Sequence, residues 1–331
     1  MHVAADDALV GVRPPVTPIT VRTDRRTDDK IFRAVVRAAG FGSLVLLFFI
    51  GLFLLLRGLP ALHVMGWRFF TRSGYQTLGS HPTFGVLASL YGSVVVAVVA
   101  LTVGVPIALT TSLFLSEYAP IWSRRTLIAL VDLAAAVPSV VYGLWGFFEL
   151  QPNLVGFSTW LSQHLSFIPI FKVVSPPVTS SLFIAGIVVG IMIVPIITSI
   201  TREVFSLAPP GEREGALALG ASRSQMIRSV VLPFGRGGMI GAIMLGLGRA
   251  LGETIAVAII LGETFAISPH ILQHGGTTIA SLIAIHFPSG GPRGIADLLL
   301  CGFVLFVLTM VINLVASAVV NRSRSGAGVE L

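Results

Sequence analysis

Cysteine is all but missing. Cys301 stands alone in 331 residues, so the chain holds no intrachain disulfide and no cysteine-based metal cluster. Charge is scarce too: Asp, Glu, Lys and Arg make up 11% of the chain, less than half of the roughly 25% usual in soluble domains. That excludes a water-soluble globule. Disorder is excluded as well, because it needs low hydrophobicity with high net charge, whereas 54% of these residues are hydrophobic and the mean hydropathy is +0.90. Lysine occurs only at Lys30 and Lys172. Neither ends a glycine-rich turn ahead of Ser or Thr, so no phosphate-binding loop of the Gly-Lys-Ser/Thr kind is present. The chain is expected not to be an enzyme on its own.

What is present is long apolar runs. A helix needs about 20 apolar residues to cross a bilayer, and such runs lie at 38–56, 84–108, 127–148, 181–201, 237–262 and 295–320. The expected fold class is an all-α polytopic membrane protein with six transmembrane helices. Two further runs, 153–171 and 277–287, are too polar or too short to cross, and read as helices at the interface or over the outer face. A net charge of +7 suits nucleic acid in general, but the distribution of arginines points to topology. With the N-terminus inside, sixteen basic residues fall on the inner side. Only Arg57, Arg68, Arg72, Lys172 and Arg293 fall on the outer side. This asymmetry sets orientation and predicts both termini in the cytoplasm. The run at 38–56 ends in Arg57 without a small-residue cleavage site and reads as a signal-anchor. Pro106, Pro138 and Pro195 lie in or near spans and are candidate kinks.

One basic residue, Arg249, lies inside a span, four positions before Glu253. Charges at bilayer depth cost at least ~3 kcal/mol each on insertion scales and face a protein interior or a watery cavity. On a continuous helix Ala242, Gly246, Arg249, Ala250, Glu253 and Val257 share one stripe at about 100° per residue, with Thr254 beside it. Ile240, Met244, Leu247, Leu251 and Ile255 lie opposite, toward lipid. Arg249 keeps its charge and presents a planar fork suited to an oxyanion such as phosphate. Glu253 is placed to hold Arg249 while no anion is there. Self-neutralisation within a structural pair is the competing reading.

Between the fourth and fifth spans, Glu212 to Ala218 followed by Gly220 predicts a short helix with a glycine cap. Ser222 with Gln225 predicts a capping box opening a second helix, which Pro233 is expected to end. The product is a rigid knob with small apolar side chains, a partner surface. Glu214-Gly215-Ala216, Gly220, a nine-residue gap and Val230-Val231-Leu232-Pro233 resemble the EAA loop of ABC importer permeases, with Gly215 for alanine and Val230 for isoleucine. The stretches Met244–Thr254 and Asp132–Gly146 are similar to the fifth and third helices of phosphate ABC transporter permeases of the PstC type. The similarity runs over about 40–320.

This resemblance implies the ABC type I importer permease fold in a bacterial inner membrane. It implies a substrate pathway at Arg249, Glu253 and Thr254, and ATPase coupling through Glu214, Gly215, Ala216, Leu219 and Gly220. Expected partners are a second permease of the PstA type, two ATP-binding subunits of the PstB type that hold the ATP and Mg, and an external phosphate-binding protein of the PstS type. No cofactor is expected in this chain, and no nucleic acid as partner. The expected organisation is a disordered basic tail at 1–37, the first span and an outer loop at 38–83, the permease core at 84–320 with the coupling loop at 202–236, and a tail at 321–331.

Sulfate or molybdate is not distinguished from phosphate by charge, and an ion-coupled transporter, a channel or a membrane sensor remains open on the residues alone. His270 and His274 have no carboxylate at ligand spacing, so a metal site is not expected there. Trp67, Phe69 and Phe70 fit an aromatic belt or an outer docking face; Asp132 and Asp297 read as interfacial, Asp132 with a possible place in the pathway. Glu263 is placed at the pathway mouth.

Overall fold

The computed structural model describes residues 27–76, 83–174 and 178–324. The chain divides into two units, 1–50 and 51–331. Helix α1 (Thr27–Met65) begins in the first of these, inside the stretch expected to be an unfolded tail. Asp29 in its first turn suits the positive end of the helix dipole. The rest of that tail, 1–26, and the C-terminal 325–331 lie outside the described residues. Phe41, Leu44 and Phe48 on α1 are each more than half exposed, an apolar surface that lipid suits and water does not.

In the second unit α1 ends at a glycine turn. A short helix α2 (Arg68–Thr71) leads into an antiparallel hairpin, β1 (Ser73–Gln76) with β2 (Thr83–Val86), in which Tyr75 faces Phe84. The all-helical expectation missed this hairpin. Its four-residue strands carry almost no alternation signal. Phe69, expected in an interfacial belt, is instead buried and stacked on Phe84 with ring centroids 5.6 Å apart, while Trp67 is exposed.

Helix α3 (Leu87–Leu113) runs into a π turn at Phe114–Tyr118. Helices α4 (Ile121–Ala136) and α5 (Ser139–Trp145) meet at a bend of 90°. Pro138 causes it: the ring removes a backbone donor and holds Val137 extended, at φ −63° and ψ 130°. From α5 the chain continues through a π turn at Gly146–Leu150 into α6 (Gln151–His164). The segment 153–171, expected as a helix at the interface or over the outer face, continues from α5 as far as His164, and the run expected to span at 127–148 is bent by 90°. There follow α7 (Leu182–Ser206), α8 (Pro210–Ala218), α9 (Arg223–Met226), a π turn at Ile227–Val231, α10 (Leu232–Leu251), α11 (Ile255–Ile260), α12 (Ile279–His286) and α13 (Pro292–Arg324).

Five runs, 29–65, 87–118, 182–206, 223–251 and 292–318, are long and apolar enough to cross a bilayer. The stretches 121–136 and 139–164, bent by 90° between them, make a sixth if counted as one span. The short run at 277–287 forms α12, which is tied inward, not laid on the surface. Ile279 and Leu282 are fully buried, and the Ile279 N–H donates to Ser93 Oγ of α3 at 2.9 Å.

The most extensive helix pair among the described residues is α3–α7. A Cβ added at Gly104 would lie 2.8 Å from the Gly190 carbonyl oxygen and 2.9 Å from Ile193, so glycine sets this approach as it does between membrane helices generally. Backbone cannot yield as a flexible side chain can. Gly104→Ala is expected to destabilise the fold by about 1–3 kcal/mol, read as a lower thermal midpoint of the detergent-solubilised protein.

Candidate functional site

On α10 the side toward α7 is built from Ala242, Gly246 and Ala250, all buried, with Gly246 against Ile197. That half of the expected stripe is present. The other half differs. Leu251 is buried, not turned to lipid, and the exposed line runs through Gly241, Leu245, Gly248, Arg249 and Gly252. The cause is that the fifth span is not continuous. Its helix ends at Leu251, and the chain is non-helical at Gly252-Glu253-Thr254 before α11 begins.

The break separates the two charges expected to meet. Glu253 is 7% exposed, and its Oε1 accepts the Ala256 N–H at 3.2 Å, satisfying a free donor in the first turn of α11. Arg249 is exposed at the end of α10 and makes no hydrogen bond or ion pair among the described residues. Thr254 is half-buried, and its Oγ1 donates to the Gly252 carbonyl at 3.3 Å. The expectation that Glu253 holds Arg249 in place is not met, because Glu253 is engaged as a helix cap.

A second break lies beside the first. α11 packs on α5 so closely that a Cβ at Gly143 would stand 2.7 Å from Ala256 Cα. The Tyr142 hydroxyl of α5 donates to the Ala134 carbonyl at 2.9 Å, spanning the Val137–Pro138 bend. On the far side of that bend the exposed Asp132 Oδ1 accepts from Ser199 Oγ of α7 at 2.8 Å. Broken backbone at membrane depth is tolerated where it is buried in protein or lines a cavity, and discontinuous helices build the sites of many transporters. A guanidinium with no partner among the described residues, at the edge of such a break, can take an anion.

The knob forms largely as its residues dictate. Gly220 has φ +85°, the left-handed conformation that glycine adopts without strain. Its N–H donates to Leu217 and the Ala221 N–H to Ala216, at 3.0 and 3.1 Å, a full Schellman cap. Both halves of the Ser222–Gln225 capping box are made. Pro233 does not end the second helix: it sits in the first turn of α10, where a missing N–H costs little, and the π turn before it carries the helix through to Leu251. Glu214, Gly215, Leu219 and Gly220 are exposed, Leu219 to 91%, whereas Ala216 packs on a small core of Phe205, Ala208, Met226, Ile227 and Val231. A recess lined by Leu219, Gly220, Ala221, Gln225, Arg228 and Ser229 opens beside it.

Elsewhere, His270 and His274 each point Nδ1 at a backbone carbonyl, of Pro169 and Thr179, at 2.6 and 2.9 Å. Glu263 Oε1 lies 2.8 Å from His286 Nε2, and the His286 ring packs on Tyr75. Burial first, then Asp297, Cys301 and Glu263, pushes the Tyr75 phenol above its ordinary range. The sequence reading did not single out Glu117, which pairs with Arg213 of α8. A lone acid at a span end, far from its partner in the chain, gives no local signal.

Residues 104–325 match the family model for the binding-protein-dependent transport system inner membrane component. The phosphate transport system permease protein PstC 2 of Mycobacterium tuberculosis is 39% identical over 95% of this chain and 98% of its own length. The PstC permease of Xylella fastidiosa strain 9a5c is 37% identical over 89% and 91%. Among solved structures, a bacterial ABC transporter involved in the import of the acidic polysaccharide alginate matches 88% of this chain and 99% of its own. Its TM-score is 0.51 at 16% identity, a likeness of fold.

Proposed function

The chain belongs to the binding-protein-dependent transport system inner membrane components, in the PstC branch, and on that premise we propose that it forms half of the pathway by which an ATP-driven importer carries inorganic phosphate across a bacterial inner membrane. It is a multi-pass membrane protein and a permease, not an enzyme. Hydrolysis of ATP, with its Mg, belongs to two separate subunits of the PstB type. A PstA-type permease supplies the other half of the pathway, and a PstS-type binding protein delivers the anion from outside. Both termini lie in the cytoplasm, as the arginine distribution favours.

The observation that carries this reading is Arg249, exposed, without a hydrogen-bond or ion-pair partner among the described residues, and set just before a break in its helix. In one state the anion descends to Arg249, where a guanidinium fork suits its oxygens. Glu253 and Thr254 shape the break that presents Arg249. ATP-driven closure of the cytoplasmic subunits then acts through the knob of Glu214, Gly215, Ala216, Leu219 and Gly220, and the cavity opens inward.

Reconstitution in liposomes tests this. The full assembly with ATP inside and loaded binding protein outside is expected to accumulate radiolabelled phosphate, and this chain alone to move none. Transport by the chain alone, driven by an ion gradient, would overturn the reading.

A further inference from the structure

Where the knob meets the membrane helices, two arginines converge on Glu117, Arg213 at its carboxylate and Arg223 at its backbone carbonyl. Glu117 lies in the π turn at the end of α3 and is 5% exposed. Arg213 Nη1 of α8 stands 2.9 Å from its Oε1, off the hydrogen-bond axis, so the contact is ionic. The other end of the same guanidinium donates to the Phe205 carbonyl at the end of α7. Arg223, in the first turn of α9 beyond the knob, donates to the Glu117 carbonyl and lies over the Tyr118 ring at 4.8 Å from its centroid.

We propose that Glu117, Arg213 and Arg223 form a clamp that makes the knob and the α3–α7 pair one rigid body, so that motion given to the knob is delivered to the helices that hold Arg249 in place. The inference rests on the permease reading above and names the residues through which its coupling runs. Several observations converge on it. A buried ion pair is weak support for stability, since apolar residues of similar volume often serve as well or better; a need for rigid transmission explains why charges stand here. The π turn that carries Glu117 is a local helix widening of a kind frequent at functional sites. Beyond the clamp, α3 and α7 are joined by glycine-set approaches at Gly104 and Gly190 and by Thr198 Oγ1 donating to the Ala108 carbonyl at 3.3 Å. α7 then meets α10 at Ile197 and Gly246. The contacts are contiguous from knob to Arg249, a chain of packed side chains and helices of the kind that offers a route for coupling between distant sites. Glu117, Arg213 and Arg223 act as positioning residues; none touches the anion.

The test uses the complete assembly. Nitroxide labels at Glu212→Cys on α8 and Ile107→Cys on α3 report the distance between knob and membrane helix; Cys301 is buried and takes no label. With the clamp intact, the distance distribution is expected to stay unchanged between nucleotide-free and ATP-bound states while the transporter as a whole rearranges. A shift of several ångströms on ATP binding overturns the proposal, and this measurement needs no clamp variant to fold. In the Glu117→Met/Arg213→Met variant, which removes both charges together, the distribution is expected to broaden and phosphate moved per ATP to fall at least tenfold. Wild-type coupling in that variant overturns it equally. The distance reads the clamp whatever anion is carried, so a failure of the phosphate assay in the wild-type assembly counts against the cargo and leaves the clamp to be judged by its own result.

Discussion

Arg249→Gln is expected to slow phosphate uptake about a hundredfold, with the assembly intact. A dehydrated anion at bilayer depth faces a penalty of about 3 kcal/mol or more when no opposite charge meets it, and each 1.4 kcal/mol is a factor of ten. Gln keeps polarity and much of the volume but not the charge. Arg249→Lys restores the charge without the planar fork that grips two oxygens at once, and is expected to lose about tenfold. The same structure predicts an asymmetry that the sequence alone does not. Since Glu253 caps α11 through the Ala256 N–H and does not pair with Arg249, Glu253→Gln keeps a side-chain oxygen to accept that bond. It is expected to reduce uptake far less than Arg249→Gln. Reversing the two, Arg249→Glu with Glu253→Arg, is expected to give no rescue. The measurement is initial uptake of radiolabelled phosphate in cells lacking other phosphate importers, with co-purification of the ATP-binding subunit as the check on assembly. Wild-type uptake in Arg249→Gln removes the anion-handling role.

The contrast between Arg249 and Glu253 shows what a sequence can and cannot tell about such a site. The charges themselves were legible, because an ionisable residue in an apolar run is rare and costly. So was the buried line Ala242, Gly246, Ala250, which needs nothing beyond helical spacing. The break at Gly252–Thr254 was not. Its cause is tertiary: α11 is seated on α5 at Gly143, and the short helix needs a cap once it is there. A four-residue spacing read on an unbroken helix therefore placed Glu253 on the wrong partner. Pro138 shows the same limit in milder form. Proline announces a bend, but whether it gives a gentle kink or a turn of 90° depends on what packs on either side. Glu117 was invisible for a third reason, since its partners Arg213 and Arg223 come from a distant segment. The knob was legible almost whole, because each of its determinants acts within five residues: the Gly220 cap, the Ser222–Gln225 box and the acids of the first turn.

That local origin makes the knob a sharp target. Leu219 is 91% exposed at its tip, held outward by the Gly220 turn, and none of the described residues covers it. If the ATP-binding subunit docks here as proposed, burying Leu219 contributes about 2 kcal/mol, close to thirtyfold in affinity. Leu219→Asp is expected to lose at least that much, since a charge enters a desolvated contact. The thermal midpoint of the isolated permease should not move, because an exposed side chain leaves no cavity. Gly220→Val acts differently. No atom crowds the position, so sterics with neighbours are not at issue. A β-branched residue at φ +85° is strained by its own backbone, by about 1–2 kcal/mol, and relief comes by unwinding the cap. The knob then presents Leu219 in the wrong direction, and this variant is expected to lose both docking and some stability. Co-purification of the ATP-binding subunit under increasing salt and detergent separates the cases: Leu219→Asp should release it with the permease still folded, and Gly220→Val should release it together with a lowered midpoint. Retention of the subunit by Leu219→Asp at wild-type affinity would move the docking surface away from the knob.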